Sequence, residues 1–347
     1  MKNTENFLQQ KLNERTEKGI LRKLTTTSLP FDFCSNDYLG FAKSSTLKQM
    51  INEQINSIQD YQNGSGGSRL LSGNHSFTEK TEQFIANFHH AKSGLIFNSG
   101  YDANVGLLAS IPQRGDTIIT DELIHASLID GARLSYAERY KFKHNDLNDL
   151  EQKLKNAKGI SYVIVESVYS MDGDIAPLQE IADLCERYRA SLIVDEAHAT
   201  GVFGDKGRGL VVQLNLQEKV FARIVTFGKA IGIHGAIILG NQTLKNYLIN
   251  FARSFVYTTA APIHNIIAVN CAYQMLSKGD FQHQIQQKIA LYNSLIVPLN
   301  LPTIQSKSAI QTILLNSNQG AKKAAMILQS KGFDVKAILS PTVAEGK

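Results

Sequence analysis

Cysteine is scarce in this 347-residue chain, and the three present, Cys34, Cys185 and Cys271, form no Cys-x-x-Cys pair. That argues against a disulfide framework and a structural zinc site, and it fits a reducing compartment. Charge is also thin. Charged residues make up 19% of the chain against 43% hydrophobic ones, which excludes a solvated disordered chain and leaves enough for a sizeable core. Thirty-six lysines and arginines against 31 acids leave a net charge of +5, but no five or six basic residues run together. A dedicated nucleic-acid surface is therefore not indicated. No apolar stretch reaches the ~18 to 20 residues needed to cross a bilayer. The opening MKNTENFLQQKLNERTEKG lacks the apolar core of a signal peptide; Phe7, Leu8 and Leu12 lie instead at the spacing of a short amphipathic helix. Internal repeats and low-complexity segments are missing too. The expectation is a soluble, cytoplasmic protein with room for one large domain and a smaller companion.

What is there alternates as an α/β sheet does. A helix is expected from Ser45 to about Ile58, followed by the glycine-rich loop NGSGGSRLLSGN (63–74). Short apolar runs at 94–97, 117–120, 161–166, 191–195, 223–227 and 235–240 read as strands. Helical stretches intervene at 101–108 and 125–134, and Pro177 opens another in the first-turn position, where its missing N–H costs little. A long helix begins near Pro262, and the segment from about 285 reads as short strands around a helix at 321–331. The resulting expectation is an N-terminal arm at 1–40, a large domain at 41–275 and a small α/β domain at 276–347.

Ligands of open α/β sheets collect at the carboxyl ends of the strands. Five strand ends here are followed by polar residues: Ser99, Gly100 and Tyr101; Asp121 and His125; Glu166 and Ser170; Asp195 and His198; Thr226 and Lys229. One such group alone is usually a cap or a turn. Five on one rim point to a site. Ser99-Gly100-Tyr101 at a helix start offers free amides and a positive dipole end to a phosphate. Asp195, closing a buried strand, stays ionised only beside a cation or donors, and a protonated pyridine nitrogen would serve. Lys229 sits in TFGKAIG, where paired glycines let the backbone turn and aim the amine inward. A desolvated lysine has a lowered pKa and attacks carbonyls. A lysine for a Schiff base, an acid for a ring nitrogen and a phosphate cradle together fit pyridoxal 5'-phosphate. His125 could stack on its ring and His198 could bond its ring oxygen.

SNDYLG (35–40), GSGGSRLLSG (64–73), FNSGYDAN (97–104), HASLIDGAR (125–133), SVYSMDGDIAPL (167–178), VDEAHATGVFG (194–204) and TFGKAIGIHGA (226–236) follow in order. This series resembles the α-oxoamine synthases, a branch of the fold-type I pyridoxal-phosphate enzymes. The resemblance spans nearly the whole chain. It implies a large domain with a mainly parallel sheet and a smaller C-terminal domain, in a homodimer with shared active sites.

By the same resemblance, Lys229 would carry the cofactor and later shuttle the substrate α-proton, and Asp195 would hold the ring N–H. His125 and Ala197 would cover the two ring faces, and His198 and Ser170 would contact the ring oxygen. Gly100, Tyr101 and Thr226 would bind phosphate, with Thr258 or Thr259 reaching in from a second subunit. Asn36 and Glu166 would line the substrate side, and Arg22 and Thr342 match positions that contact the acyl substrate. The implied reaction condenses a small amino acid with an acyl-CoA or acyl-carrier-protein thioester. One branch of the family joins L-alanine to a pimeloyl thioester in biotin biosynthesis with loss of CO2, and another joins glycine to acetyl-CoA without decarboxylation. The sequence departs from the family pattern at Thr78, where a histidine is usual and His75 lies three residues earlier. Family members also continue beyond the point matching Lys347 with a basic, strand-forming segment whose arginine binds the amino-acid carboxylate. A catalytically silent homologue is the alternative that this shortening raises.

Asp195-Glu196-Ala197-His198 also spells the DEAH box of helicases. That reading requires a Gly-x4-Gly-Lys-Ser/Thr phosphate loop, and the chain contains none. A metal at Glu196 and His198 lacks a ligand set at a recognised spacing.

Overall fold

A computed structural model describes residues 3–26, 29–59, 61–340 and 342–343. Its backbone falls into two compact units: Asn36–Leu299 with Ile304–Gln311, and Met1–Ser35 with Asn300–Thr303 and Thr312–Lys347.

The larger unit is built on seven strands: β1 (Ser93–Phe97), β2 (Thr117–Asp121), β3 (Glu138–Phe142), β4 (Ser161–Glu166), β5 (Ser191–Asp195), β6 (Val220–Thr226) and β7 (Ala236–Gly240). Their order across the sheet is β1-β7-β6-β5-β4-β2-β3. Only β7 runs antiparallel to its neighbours, so the other six present their carboxyl ends along one rim. The apolar runs are continuous because both faces are covered, as parallel sheets require. Alternation still sorts the side chains. Leu95, Phe97, Ile224 and Ile238 join one core cluster, while Ile96, Val225, Ile237 and Leu239 join the other. Helices Gly100–Ser110 and Ala126–Leu134 contribute to the first cluster, and helices Ser76–Phe88 and Ile263–Lys278 to the second.

Most expected elements are present to within a residue or two. The helix after Pro177 is Leu178–Tyr188, so that proline caps the helix instead of opening its first turn. Strand β3 was not expected. Its ERYKF sequence is polar because four of its five residues are exposed at the sheet edge, which leaves no apolar run to read. Helix Ser76–Phe88 was also unanticipated; His75 caps it by accepting the Phe77 amide at Nδ1, 3.0 Å, and Thr78 is buried within it.

The units do not follow the expected boundary at 275. Helix Phe281–Ile296 stays with the sheet: Gln282 and Gln286 both donate to the Val202 carbonyl, at 3.3 and 2.7 Å, and the Phe281 ring meets Phe41 edge-on. In the smaller unit the N-terminal arm joins the C-terminal residues. Strand Phe31–Asp32 pairs in parallel with Phe333–Asp334, and Phe31 and Phe333 stack at 5.1 Å. Helix Asn318–Ser330 and an N-terminal helix, Thr4–Glu17, also belong here. The latter forms at the expected place, but Phe7, Leu8 and Leu12 remain about half exposed.

Candidate active site

Strands β4 and β5 end on two acids in register, Glu166 beside Asp195, both buried. Asp195 accepts from the Ala197 amide at Oδ1 and from Asn104 Nδ2 at Oδ2, each at 2.9 Å. Both donors are neutral, so neither supplies a countercharge to the carboxylate. Asn104 Nδ2 also donates to Ser127 Oγ at 2.9 Å, and Ser127 in turn reaches His125 Nδ1 at 2.7 Å. The Ser127 amide donates to the same nitrogen at 3.2 Å, so the Ser127 hydroxyl also meets it as a donor. Nδ1 is thus an acceptor and the imidazole proton sits on Nε2. Asp195 and His125 are joined through two neutral side chains.

Glu166 accepts the His125 amide and the Ser170 amide. Burial raises its pKa, and the neighbouring Asp195 raises it further. Burial also depresses His125, with Lys229 acting in the same direction and Asp195 opposing it.

On the next strand end, β6 leads through Thr226 to Lys229, whose Nζ lies 2.7 Å from His198 Nε2. Burial lowers the Lys229 pKa, against Asp195 and Glu166, which favour its ammonium form. His198 is held well below its ordinary value by burial, then by Lys229 and His125. Its Nδ1 meets the Tyr38 hydroxyl at 2.7 Å, and Tyr38 Oη lies 3.2 Å from Asn36 Oδ1.

A third cluster gathers at the start of helix Gly100–Ser110. Ser99 caps it by accepting the Asp102 amide at 3.0 Å, and helix geometry leaves the amides of Gly100 and Tyr101 without intrahelical acceptors. The Thr226 hydroxyl lies beside this helix start, 3.4 Å from where a Cβ on Gly100 would stand. Asn98, just before the cap, donates to Thr258 Oγ1 at 3.0 Å and to the Thr259 carbonyl at 2.9 Å. The Tyr101 hydroxyl turns to Asp130, 2.8 Å away.

The sheet thus brings together Ser99, Gly100, Thr226, Thr258 and Thr259 in one cluster, and His125, Glu166, Asp195, His198 and Lys229 in a linked set, with Ser170, Ala197 and Asn36 bonded to it. Arg22 and Thr342 lie in the smaller unit and meet each other, Arg22 Nη2 donating to Thr342 Oγ1 at 3.2 Å. Asn104, Ser127 and Tyr38 are the polar residues that sequence reasoning passed over. Each lies inside a motif quoted above, and Asn104 follows Gly100 at helical i,i+4 spacing, the signal that could have placed it on the same face. Glu196 of the DEAH string is committed elsewhere. It is fully buried, accepts the Val211 amide at 2.9 Å and faces Arg223 at 3.8 Å.

These donors and acceptors fit pyridoxal 5'-phosphate. Among the described residues a buried carboxylate is hydrogen-bonded by neutral donors, a buried amine has a lowered pKa, and a helix N-terminus with a glycine is lined by a hydroxyl. Comparisons with known proteins agree. Residues 30–346 match the aminotransferase class I and II family. The 8-amino-7-oxononanoate synthase of Emericella nidulans is 40% identical over 98% of this chain and 88% of its own length, and that of Marinobacter nauticus is 38% identical over 91% and 80%. Among solved structures, 8-amino-7-oxononanoate synthase from Francisella tularensis superposes with a TM-score of 0.77 at 30% identity, covering 90% of this chain and 89% of that one. Serine palmitoyltransferase from Sphingomonas wittichii has the same fold, with a TM-score of 0.90 at 24% identity over 99% and 90%. The chain belongs to the aminotransferase class I and II family and, within it, to the α-oxoamine synthases, the pyridoxal-phosphate-dependent acyltransferases that its motifs resemble.

Proposed function

We propose that this enzyme uses pyridoxal 5'-phosphate to condense L-alanine with a pimeloyl thioester, carried by CoA or by acyl carrier protein, giving 8-amino-7-oxononanoate, CO2 and the free carrier thiol for biotin synthesis. The observation that carries the reading is the convergence of the Lys229 amine and the buried Asp195 carboxylate at the ends of adjacent strands, each with a histidine linked to it.

When bound, the cofactor supplies an electron-accepting ring that stabilises the carbanion left on an amino acid as it loses a proton. Lys229 would hold it through Nζ, and the same nitrogen, its pKa lowered by burial, moves the α-proton. Asp195 would face the ring nitrogen and keep it protonated, with its own orientation set by Asn104 and Ala197. The amides of Gly100 and Tyr101, the Ser99 cap and the Thr226 hydroxyl would take the phosphate. Thr258 and Thr259 sit beside Asn98 of their own chain, and only the match to the family assigns them to the phosphate of a second subunit in a homodimer. His125 and Ala197 would cover the ring faces, and His198 and Ser170 would meet the ring oxygen. His125, protonated at Nε2, has a donor for the oxygen of the forming ketone. Asn36 and Glu166 are assigned to the amino-acid side, and Arg22 and Thr342 to the acyl substrate by their match to the family.

The test is product analysis with the purified chain, pyridoxal phosphate, alanine or glycine, and acyl-CoAs of increasing length. Alanine with pimeloyl-CoA should give 8-amino-7-oxononanoate and one CO2 per turnover. Faster, CO2-free turnover of glycine with acetyl-CoA would instead identify a glycine C-acetyltransferase. Borohydride should trap a pyridoxyl group on the Lys229 peptide, and Lys229→Ala should lose both the trapped peptide and turnover. No trapping and no product from the folded wild-type chain would mean a silent homologue.

A further inference from the structure

Tyr38 has no part in the proposed function, yet it ends a chain of contacts that starts at the reactive amine. Lys229 Nζ is 2.7 Å from His198 Nε2, His198 Nδ1 is 2.7 Å from Tyr38 Oη, and Tyr38 Oη is 3.2 Å from Asn36 Oδ1. The direction of this chain follows from counting protons. A phenol carries one proton and an amide oxygen can only accept, so the Tyr38 proton goes to Asn36. The phenol oxygen then meets Nδ1 as an acceptor, and the imidazole proton must sit on Nδ1. Nε2 is left as a lone pair facing Lys229. The opposite tautomer would take the Tyr38 proton for Nδ1 and require the Asn36 amide to turn its Nδ2 towards the phenol oxygen, in place of the Oδ1 that faces it at 3.2 Å. Burial keeps the phenol protonated and the imidazole neutral throughout the working range.

We propose that Tyr38 is a positioning residue: through its bond to Asn36 it fixes the tautomer of His198 and so keeps an acceptor at Nε2 for the Lys229 amine. This rests on, and deepens, the reading of Lys229 as the cofactor lysine. His125 uses the converse arrangement, accepting at Nδ1 from Ser127, so the two histidines of the site hold their protons on opposite ring nitrogens. Besides His198, the charged or titratable groups acting on Lys229 are Asp195 and Glu166, which favour its ammonium form, and His125, which it depresses in turn. A change confined to the Tyr38 hydroxyl alters none of these, so its effect isolates the tautomer.

The test uses the full chain freed of cofactor. Nitrogen NMR shifts of His198, assigned by their loss in His198→Gln, should show the proton on Nδ1; a ring protonated at Nε2 overturns the proposal without any Tyr38 variant. In Tyr38→Phe the proton should move to Nε2. The pH midpoint for acetylation of Lys229, read by peptide mass spectrometry, should then fall by about one unit, since the ammonium loses a charge-assisted bond. Asn36→Ala should shift the midpoint in the same direction, and it substitutes for Tyr38→Phe if that variant does not fold. An unchanged midpoint in a Tyr38→Phe protein with the wild-type urea midpoint overturns the proposal. Borohydride trapping is read separately. If pyridoxal phosphate were trapped on another lysine, the cofactor assignment would fall while the tautomer measurement stood.

Discussion

Asp195 accepts two hydrogen bonds and can replace neither of its oxygens with a donor. An amide there would set an NH2 either against the Ala197 amide or against Asn104 Nδ2, each now 2.9 Å from a carboxylate oxygen. Asn104 can relieve the second conflict by turning its buried, unpartnered Oδ1 towards the new amide, but it would then lose the bond its Nδ2 donates to Ser127. Asp195→Asn should therefore keep the fold and bind cofactor, while turnover falls by about 100- to 1,000-fold, the usual scale for losing one preorganised electrostatic group. Steady-state kinetics and the cofactor absorbance together check this, and near-normal turnover would mean that the ring nitrogen has another partner. At this scale the chemistry was legible where the residue type is rare in its setting: a lysine between glycines, an aspartate closing a strand. Tyr38, Asn104 and Ser127 are ordinary polar residues. Only the proximity of residues distant in the chain, such as 38 and 198, gives them a role.

Strands were legible wherever both faces are buried, and β3 was not, because an exposed edge strand carries charge in place of an apolar run. The segment after it nevertheless holds a latch. His144 lies between two carboxylates, Nδ1 at 3.0 Å from Asp121 and Nε2 at 2.8 Å from Asp174, and the edge of its ring packs on Tyr169 at 4.4 Å. Asp121 closes β2 and also accepts the Leu123 amide, two residues before His125. With both ring nitrogens facing acids, His144 donates from both and is cationic. Burial alone would lower its pKa, but the bonds to Asp121 and Asp174 outweigh it and push the value up to about 10. A group whose folded pKa is raised contributes stability fully below its unfolded value and loses it as pH rises through the folded one. The deficit of His144→Ala against wild type should therefore be full at pH 6, smaller at pH 8 and close to gone above pH 10. Urea midpoints at the three pH values measure it, and a deficit that grew with pH would show a neutral histidine.

The whole molecule is where the sequence was least readable. Which residues form the sheet followed from their apolar runs, but the pairing of Phe31–Asp32 with Phe333–Asp334 joins two-residue strands some three hundred positions apart, and no periodicity marks so short an element. The sheet itself couples stability to chemistry in a way that can be tested on a single strand. Along β5, Leu192 and Ile193 are both fully buried, but alternation puts Ile193 on the face of Asp195 and Leu192 on the other. Truncating either to alanine should cost about 2 to 5 kcal/mol through lost transfer energy and the cavity left behind. Both variants should thus show a lower urea midpoint with an unchanged slope. Only Ile193→Ala opens space beneath the Asp195 carboxylate, and it alone should slow turnover by about tenfold, the rate equivalent of about 1.4 kcal/mol. Equal slowing in Leu192→Ala would mean that the site responds to loss of stability as such, and that the geometry of Asp195 is not set by its own face of the sheet.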